Sequence, residues 1–83
     1  MFYSKEIIMG LEKIVLNAIE DADGEAHDNA RFCNGTLFIE GAARAEDPIS
    51  GIRLYRILNA IRSVVNCNVE CHEAGDDIVI DFI

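Results

Sequence analysis

Asn34-Gly35 constrains this chain more than any other pair of residues. Both tolerate positive φ, and a two-residue turn of the I′ type requires it at both positions, so the flanking segments are predicted to form an antiparallel hairpin. The register follows from the turn: Cys33 faces Thr36, Phe32 faces Leu37, Arg31 faces Phe38 and Ala30 faces Ile39. Side chains alternate along each strand. Ala30, Phe32, Leu37 and Ile39 therefore make a face to be buried, and Arg31, Cys33, Thr36, Phe38 and Glu40 make the other. Phe38 is the anomaly of that second face. It either packs beside the aliphatic part of Arg31 or serves a partner as an aromatic anchor. Gly41-Ala42-Ala43-Arg44-Ala45 is small and smooth, suited to a strand end or to the close approach of another backbone.

Two amphipathic helical patterns supply a second layer. From Asp47, which can N-cap with Pro48 at the first helical position, to Val65, a 3.6-residue period gathers Leu54, Ile57, Leu58, Ile61, Val64 and Val65 on one arc. Arg53, Arg56, Asn59 and Ser63 fall on the opposite arc. Earlier in the chain Ser4 can cap a helix running to about Ala22, with Ile7, Ile8, Leu11, Ile14, Val15, Ala18, Ile19 and Ala22 on its apolar side. Met9 and Leu16, seven residues apart, project from the polar side of that helix. Single exposed apolar residues are ordinary, whereas a stripe of them would serve contact with a partner or a second copy. The acidic stretch Asp21 to Asn29, interrupted by Gly24, reads as a loop.

Strand patterns return after the second helix. Cys67, Val69 and Cys71 alternate with Asn68, Glu70 and His72 over Asn66 to His72, Glu73 to Asp76 is a turn, and Ile78, Ile80 and Phe82 alternate with Asp77, Val79 and Asp81. The order is α-β-β-α-β-β. With two apolar helix faces and apolar strand faces to bury, residues 1–83 are predicted to form one α+β domain of two layers: two helices packed on one face of a four-stranded antiparallel sheet. The two αββ halves are alike in plan, without a convincing sequence repeat.

Charge narrows the function. The 83 residues hold 15 carboxylates against 7 lysines and arginines, a formal charge of −8. Such a surface repels nucleic-acid phosphates and anionic membranes, so neither is expected as a direct partner. The imbalance is uneven. Residues 1–30 carry Lys5 and Lys13 against Glu6, Glu12, Glu20, Asp21, Asp23, Glu25 and Asp28, and no basic residue follows Arg62. Two acidic blocks thus flank an arginine-bearing middle. Charged residues interrupt every apolar run at the N-terminus, which fits neither a secretory signal nor a membrane span, and a cytoplasmic location is expected.

Candidate chemistries fail on spacing. On a strand, Cys67 and Cys71 share a face but lie about 13 Å apart, too far for one zinc ion or a disulfide, and His72 points the other way. These cysteines are expected to be small buried hydrophobes; Cys33 could instead be exposed and reactive. The segment from Asp21 resembles the start of a calcium loop, but Ala26 stands at the sixth position and Phe32 at the twelfth. Thiol catalysis at Cys33, with His27 or His72 as base, lacks a nucleophile elbow and a glycine-lined oxyanion site. Asp76 and Asp77 sit in a turn with water on most sides. No phosphate loop, Gly-x-Gly-x-x-Gly or His-Glu-x-x-His is present, and neither cofactor nor metal is expected.

Surface remains. Glu70, Glu73, Asp76, Asp77 and Asp81 of the last hairpin, with Glu20, Asp21, Asp23, Glu25 and Asp28 after the first helix, would offer a row of carboxylates on a small rigid scaffold. Such a row imitates phosphates to a basic groove. Acidity for solubility alone is the plain alternative. In size and charge only, the chain resembles the small acidic phage-encoded inhibitors of host defence, anti-CRISPR proteins among them, some of which imitate DNA. That resemblance implies a non-catalytic inhibitor acting in the host cytoplasm on a protein with a basic, nucleic-acid-handling surface. A competing expectation uses Met9, Leu16 and Phe38 for docking or homodimer formation, as in an adaptor or assembly subunit. A cysteine-dependent enzyme at Cys33 is the third.

Overall fold

A computed structural model describes the backbone of residues 5–83 and the side chains from residue 10 onward. Its elements are α1 (Lys5–Ala22), α2 (Gly24–Asp28), β1 (Ala30–Cys33), β2 (Thr36–Ile39), α3 (Gly51–Arg62), β3 (Val69–Ala74) and β4 (Asp77–Phe82). The four strands form one antiparallel sheet in the order β1-β2-β4-β3, with the helices on one side of it. This is the two-layer α+β plan expected from the patterns. Among the described residues no helix is long and apolar enough to cross a membrane.

The β1–β2 hairpin has the register that its turn dictates, Ala30 opposite Ile39 through Cys33 opposite Thr36, with Asn34 at φ 53° and Gly35 at φ 80°. Strand order follows from side chains. β2 and β4 carry the apolar runs Leu37-Phe38-Ile39 and Ile78-Val79-Ile80 and pair in the centre, while β1 and β3 bear charges and take the edges. Charged edge strands resist pairing with other chains. Asn68 and Ile83 exchange two backbone hydrogen bonds and lengthen the β3–β4 ladder by one residue pair.

Between the layers lie Val15 and Ile19 of α1, Ile57, Leu58 and Ile61 of α3, and Leu37, Ile39, Val69, Ile78 and Ile80 of the sheet. Phe32 and Phe82 stack at the edge of this core with ring centroids 5.9 Å apart. α1 and α3 run antiparallel, since Asp23 at the end of α1 meets Arg53 in the first turn of α3 while Ile14 lies beside Val64 past its last turn.

Several boundaries and faces differ from expectation. α3 begins at Gly51, not Pro48: the Ser50 hydroxyl accepts from the Arg53 amide, and the preceding segment is held by Ile49 N–H donating to the Ala42 carbonyl. It ends at Arg62, where the Ser63 hydroxyl turns back to the Ala60 carbonyl. The segment read as a loop from Asp21 to Asn29 contains α2, because Asp23 supplies an N-cap that the charge pattern obscured. β3 starts three residues later than its alternation suggested and continues to Ala74, leaving Cys67 outside it.

Cys67 and Cys71 are not the buried hydrophobes expected, being half-buried and exposed respectively, while Cys33 is exposed, as its place on the outer face of the hairpin allowed. β3 is an edge strand of which only Val69 is buried. On α1, Leu16 packs against the core whereas Ile14 is 48% exposed. The helix buries its Val15–Ile19 line, from whose centre Leu16 is rotated by about 80° and Ile14 by about 120° at 3.6 residues per turn. The predicted cap Ser4 and the side chains of Ile7, Ile8 and Met9 lie outside the described residues.

Candidate functional site: an acidic end and an open sheet face

Both acidic blocks arrive at the same end of the domain. That end is built from the close of α1, all of α2, the loop between β2 and α3, and the β3–β4 turn, which is tied to the loop by Ala43 N–H donating to the Asp76 carbonyl at 2.8 Å. Glu20, Asp21, Asp23, Glu25 and Asp28 come from the helical side, and Glu73, Asp76 and Asp77 from the hairpin. Glu40, Glu46 and Asp47, which the charge pattern did not single out, join them from the loop and the strand before it. A polar cleft of about 120 Å³ opens here, lined by Glu25, Asn29, Glu40, Arg44, Asp47 and Arg53 among others. No thiol or imidazole lines it.

Some of these carboxylates are committed within the chain. Asp23, whose side chain is 12% exposed, accepts from the Ala26 amide at 3.1 Å and holds Arg53 in a two-point ion pair, Nε to Oδ2 at 2.7 Å and Nη2 to Oδ1 at 2.9 Å. The Arg53 hydrogen bond holds the Asp23 carboxyl below the usual range, against the opposing effect of burial, and Arg53 in turn is raised by Asp23. Glu25 reaches the same guanidinium at 3.5 Å. Asp77 accepts from the Gly41 amide at 2.9 Å, and Glu40 pairs with Arg31, whose guanidinium is raised by that contact. Gly41 has φ 74°, and a Cβ there would lie 2.8 Å from the Arg44 guanidinium, so this corner needs glycine for its backbone and for the arginine folded over it. By contrast Asp21, Glu46, Asp47, Glu73 and Asp76 have no cationic partner within 4 Å among the described residues.

The second surface is the sheet face turned away from the helices. One cross-strand row runs Arg31, Phe38, Val79, His72. Arg31 stands over the Phe38 ring at 4.7 Å from the centroid, so Phe38 does pack beside Arg31. Val79 is only 5% exposed although it lies on this face and outside the main core, shielded between Phe38 and His72. Carboxylates flank the row on both sides. Glu40 and Asp77 lie towards the acidic end. Asp81 and Glu70, directly opposed across β4 and β3, lie on the other side, with the Thr36 hydroxyl donating to Asp81 at 3.4 Å and His72 Nδ1 3.6 Å from it.

No family model, curated protein or solved structure matches the chain.

Of the residues proposed from sequence, those of the two acidic blocks are brought together except Glu70 and Asp81, which belong to the open face. The proposed apolar stripe is not one surface. Leu16 packs against the core from the helix layer, Phe38 is on the far side of the sheet, and the Met9 side chain lies outside the described residues. Cys33 and His72 stand on opposite edge strands, about 16 Å apart, three strand spacings across and two residues along, while His27 sits between Glu20 and Asp28. Among the described residues no three metal-ligating side chains converge. Sequence reasoning overlooked Ile52 and Tyr55, exposed on the outer side of α3, and the Ile14–Val64 groove between α1 and α3. A period-3.6 count finds apolar residues but not the direction in which the helix is buried.

Proposed function

We propose that this protein is a non-catalytic binding protein that occupies a basic, nucleic-acid-handling surface of a protein partner and thereby inhibits it. The observation that carries the reading is the convergence of two acidic blocks, far apart in sequence, on one end of a small rigid domain. Five of the carboxylates there have no cationic partner within 4 Å among the described residues, and all five are exposed. Carboxylates distributed over such a surface present to a lysine- and arginine-rich groove what phosphates would. The likeness in size and charge to phage-encoded inhibitors of host defence accords with this reading.

The test is capture of partners from the source cell at low salt, followed by a competition assay. The expected result is a captured nucleic-acid-binding protein that releases its nucleic acid when this protein is added. Binding should weaken steeply with added salt and with charge reversal at Asp21, Asp28 and Asp76. Capture that is indifferent both to salt and to these reversals refutes the reading.

A further inference from the structure

The open sheet face has an organisation that a merely solubilising surface does not need. Phe38 and Val79 form an apolar centre, and carboxylates stand on both sides of it, Glu40 and Asp77 on one and Asp81 and Glu70 on the other. We propose that this face is a docking surface for a basic amphipathic helix of a protein partner, with the helix's apolar side chains on the half-buried Phe38 ring, which Val79 backs from within the sheet, and its lysines or arginines on the flanking carboxylates. The proposal rests on the reading above in taking a basic protein partner, and goes beyond it in assigning the apolar contact.

Dimensions fit this occupant. Residues two apart on a strand are about 6.7 Å apart, which puts the carboxylate rows about 13 Å from each other. A helix with its side chains is about 10–12 Å across, so cations on its two flanks reach both rows at once. The row Arg31, Phe38, Val79, His72, apolar at its centre, crosses four strands, about 14 Å, the length of nine or ten helical residues. An extended segment fits less well, because its side chains alternate away from the surface and it offers one flank at a time.

Charge complementarity selects against the other occupants. Two copies placed face to face would bring eight carboxylates together with two arginines, and nucleic acid would bring its phosphates against Glu40, Asp77, Asp81 and Glu70. The opposed pair Glu70 and Asp81 carries like charges across a ladder, an arrangement that costs folding stability. A cation placed between them removes that cost. Arg31, held by Glu40, covers the Phe38 ring in the unbound protein and moves aside or stacks on the incoming helix.

The experiment uses three synthetic 18-residue peptides and the isotope-labelled full chain, read by amide chemical shifts and titration calorimetry. The first peptide carries leucines at helical spacing between lysines, the second replaces the leucines by serine, and the third has the first's composition in an order without helical period. The first is expected to shift the amides of Phe38, Val79, His72 and Asp81 and to bind about tenfold tighter than the other two; Phe38→Ala should remove about that factor while the spectrum stays folded. Equal binding of the first two peptides, with shifts confined to the acidic end, overturns the docking surface and leaves the charge reading standing. Absence of binding by all three overturns both. Equal binding of the third refutes the helical occupant. A dimer in sedimentation that Phe38→Ala dissociates assigns the face to a second copy and refutes the proposal, and so do shifts on this face with single-stranded RNA.

Discussion

Asp23 belongs to the acidic block by sequence and to the scaffold by geometry, and substitution separates the two roles. Its carboxylate caps α2 through the Ala26 amide and clamps Arg53 with two hydrogen bonds, tying the α1–α2 junction to α3. Loss of an N-cap costs about 1 kcal/mol. The ion pair contributes about 1 kcal/mol more, towards the lower end for a charge-assisted pair because the Arg53 side chain is 37% exposed. Asp23→Ala should therefore destabilise by about 2 kcal/mol, a fall in Tm of about 8–16 °C for a domain of this size. Asp23→Asn keeps a good cap and loses the charge, so about half that loss is expected. The assay is thermal unfolding followed by circular dichroism, repeated against pH. Because the folded-state pKa lies below the ordinary 3.8, the pair's contribution is fully present above that value and is lost as pH falls through the depressed one. The gap between wild type and Asp23→Asn should be constant from pH 5 to 7 and close below about pH 4. A gap independent of pH, or equal effects of alanine and asparagine, would refute this division of roles.

Other substitutions test other parts. Glu70→Gln relieves the like-charge pair with Asp81 and should stabilise the fold by about 0.5 kcal/mol, while weakening the first, leucine-bearing peptide in titration. Gly10→Ala, in the interior of α1 with open space at its Cβ position, should raise stability by up to about 1 kcal/mol in denaturant unfolding. Gly41→Ala should instead lower it by about 1–2 kcal/mol, because φ is 74° there and the Arg44 guanidinium must be displaced. Leu37→Ala empties a fully buried position between the layers and should cost about 3 kcal/mol, measurable in the same experiment.

What was legible in the chain was local. Asn34-Gly35 pins a hairpin because only one turn geometry suits it, and the alternation of Ile78, Ile80 and Phe82 with Asp77, Val79 and Asp81 assigns each of those residues its side of the sheet. Where two local signals competed, the weaker-looking one prevailed. Asp47-Pro48 is good capping chemistry, but Ile49 is needed to bond Ala42, so Ser50 caps α3 instead. The apolar arc of α1 was right for Leu11, Val15 and Ile19 and displaced at its margins, since nothing in a single helix says that Leu16 and not Ile14 turns towards the core. The cysteines escaped for a related reason. Cys71 alternates correctly with its neighbours, yet its strand is the edge, and the edge is decided by the pairing of β2 with β4, a contact about 40 residues apart in sequence. The acidic end depends on that same pairing, which sets the β3–β4 turn beside the loop after β2.

That convergence carries a cost that can be measured. Two carboxylates 8 Å apart in water repel by about 0.5 kcal/mol, and several such pairs at one end amount to about 1–2 kcal/mol. Salt screens exposed charges: at 0.5 M the Debye length falls to about 4 Å, whereas the part-buried Asp23–Arg53 pair is screened less. Raising sodium chloride from 0.05 to 0.5 M should therefore raise Tm by about 4–8 °C, the effect of about 1 kcal/mol. The same salt should weaken binding to a basic surface. Opposite responses of folding and binding to one variable are what a charge concentrated for a partner produces, since the repulsion that strains the free protein is relieved by the cations it meets. A Tm that falls with salt would mean that the arginines at this end already balance the carboxylates around them, and an end that is balanced has no excess charge to offer.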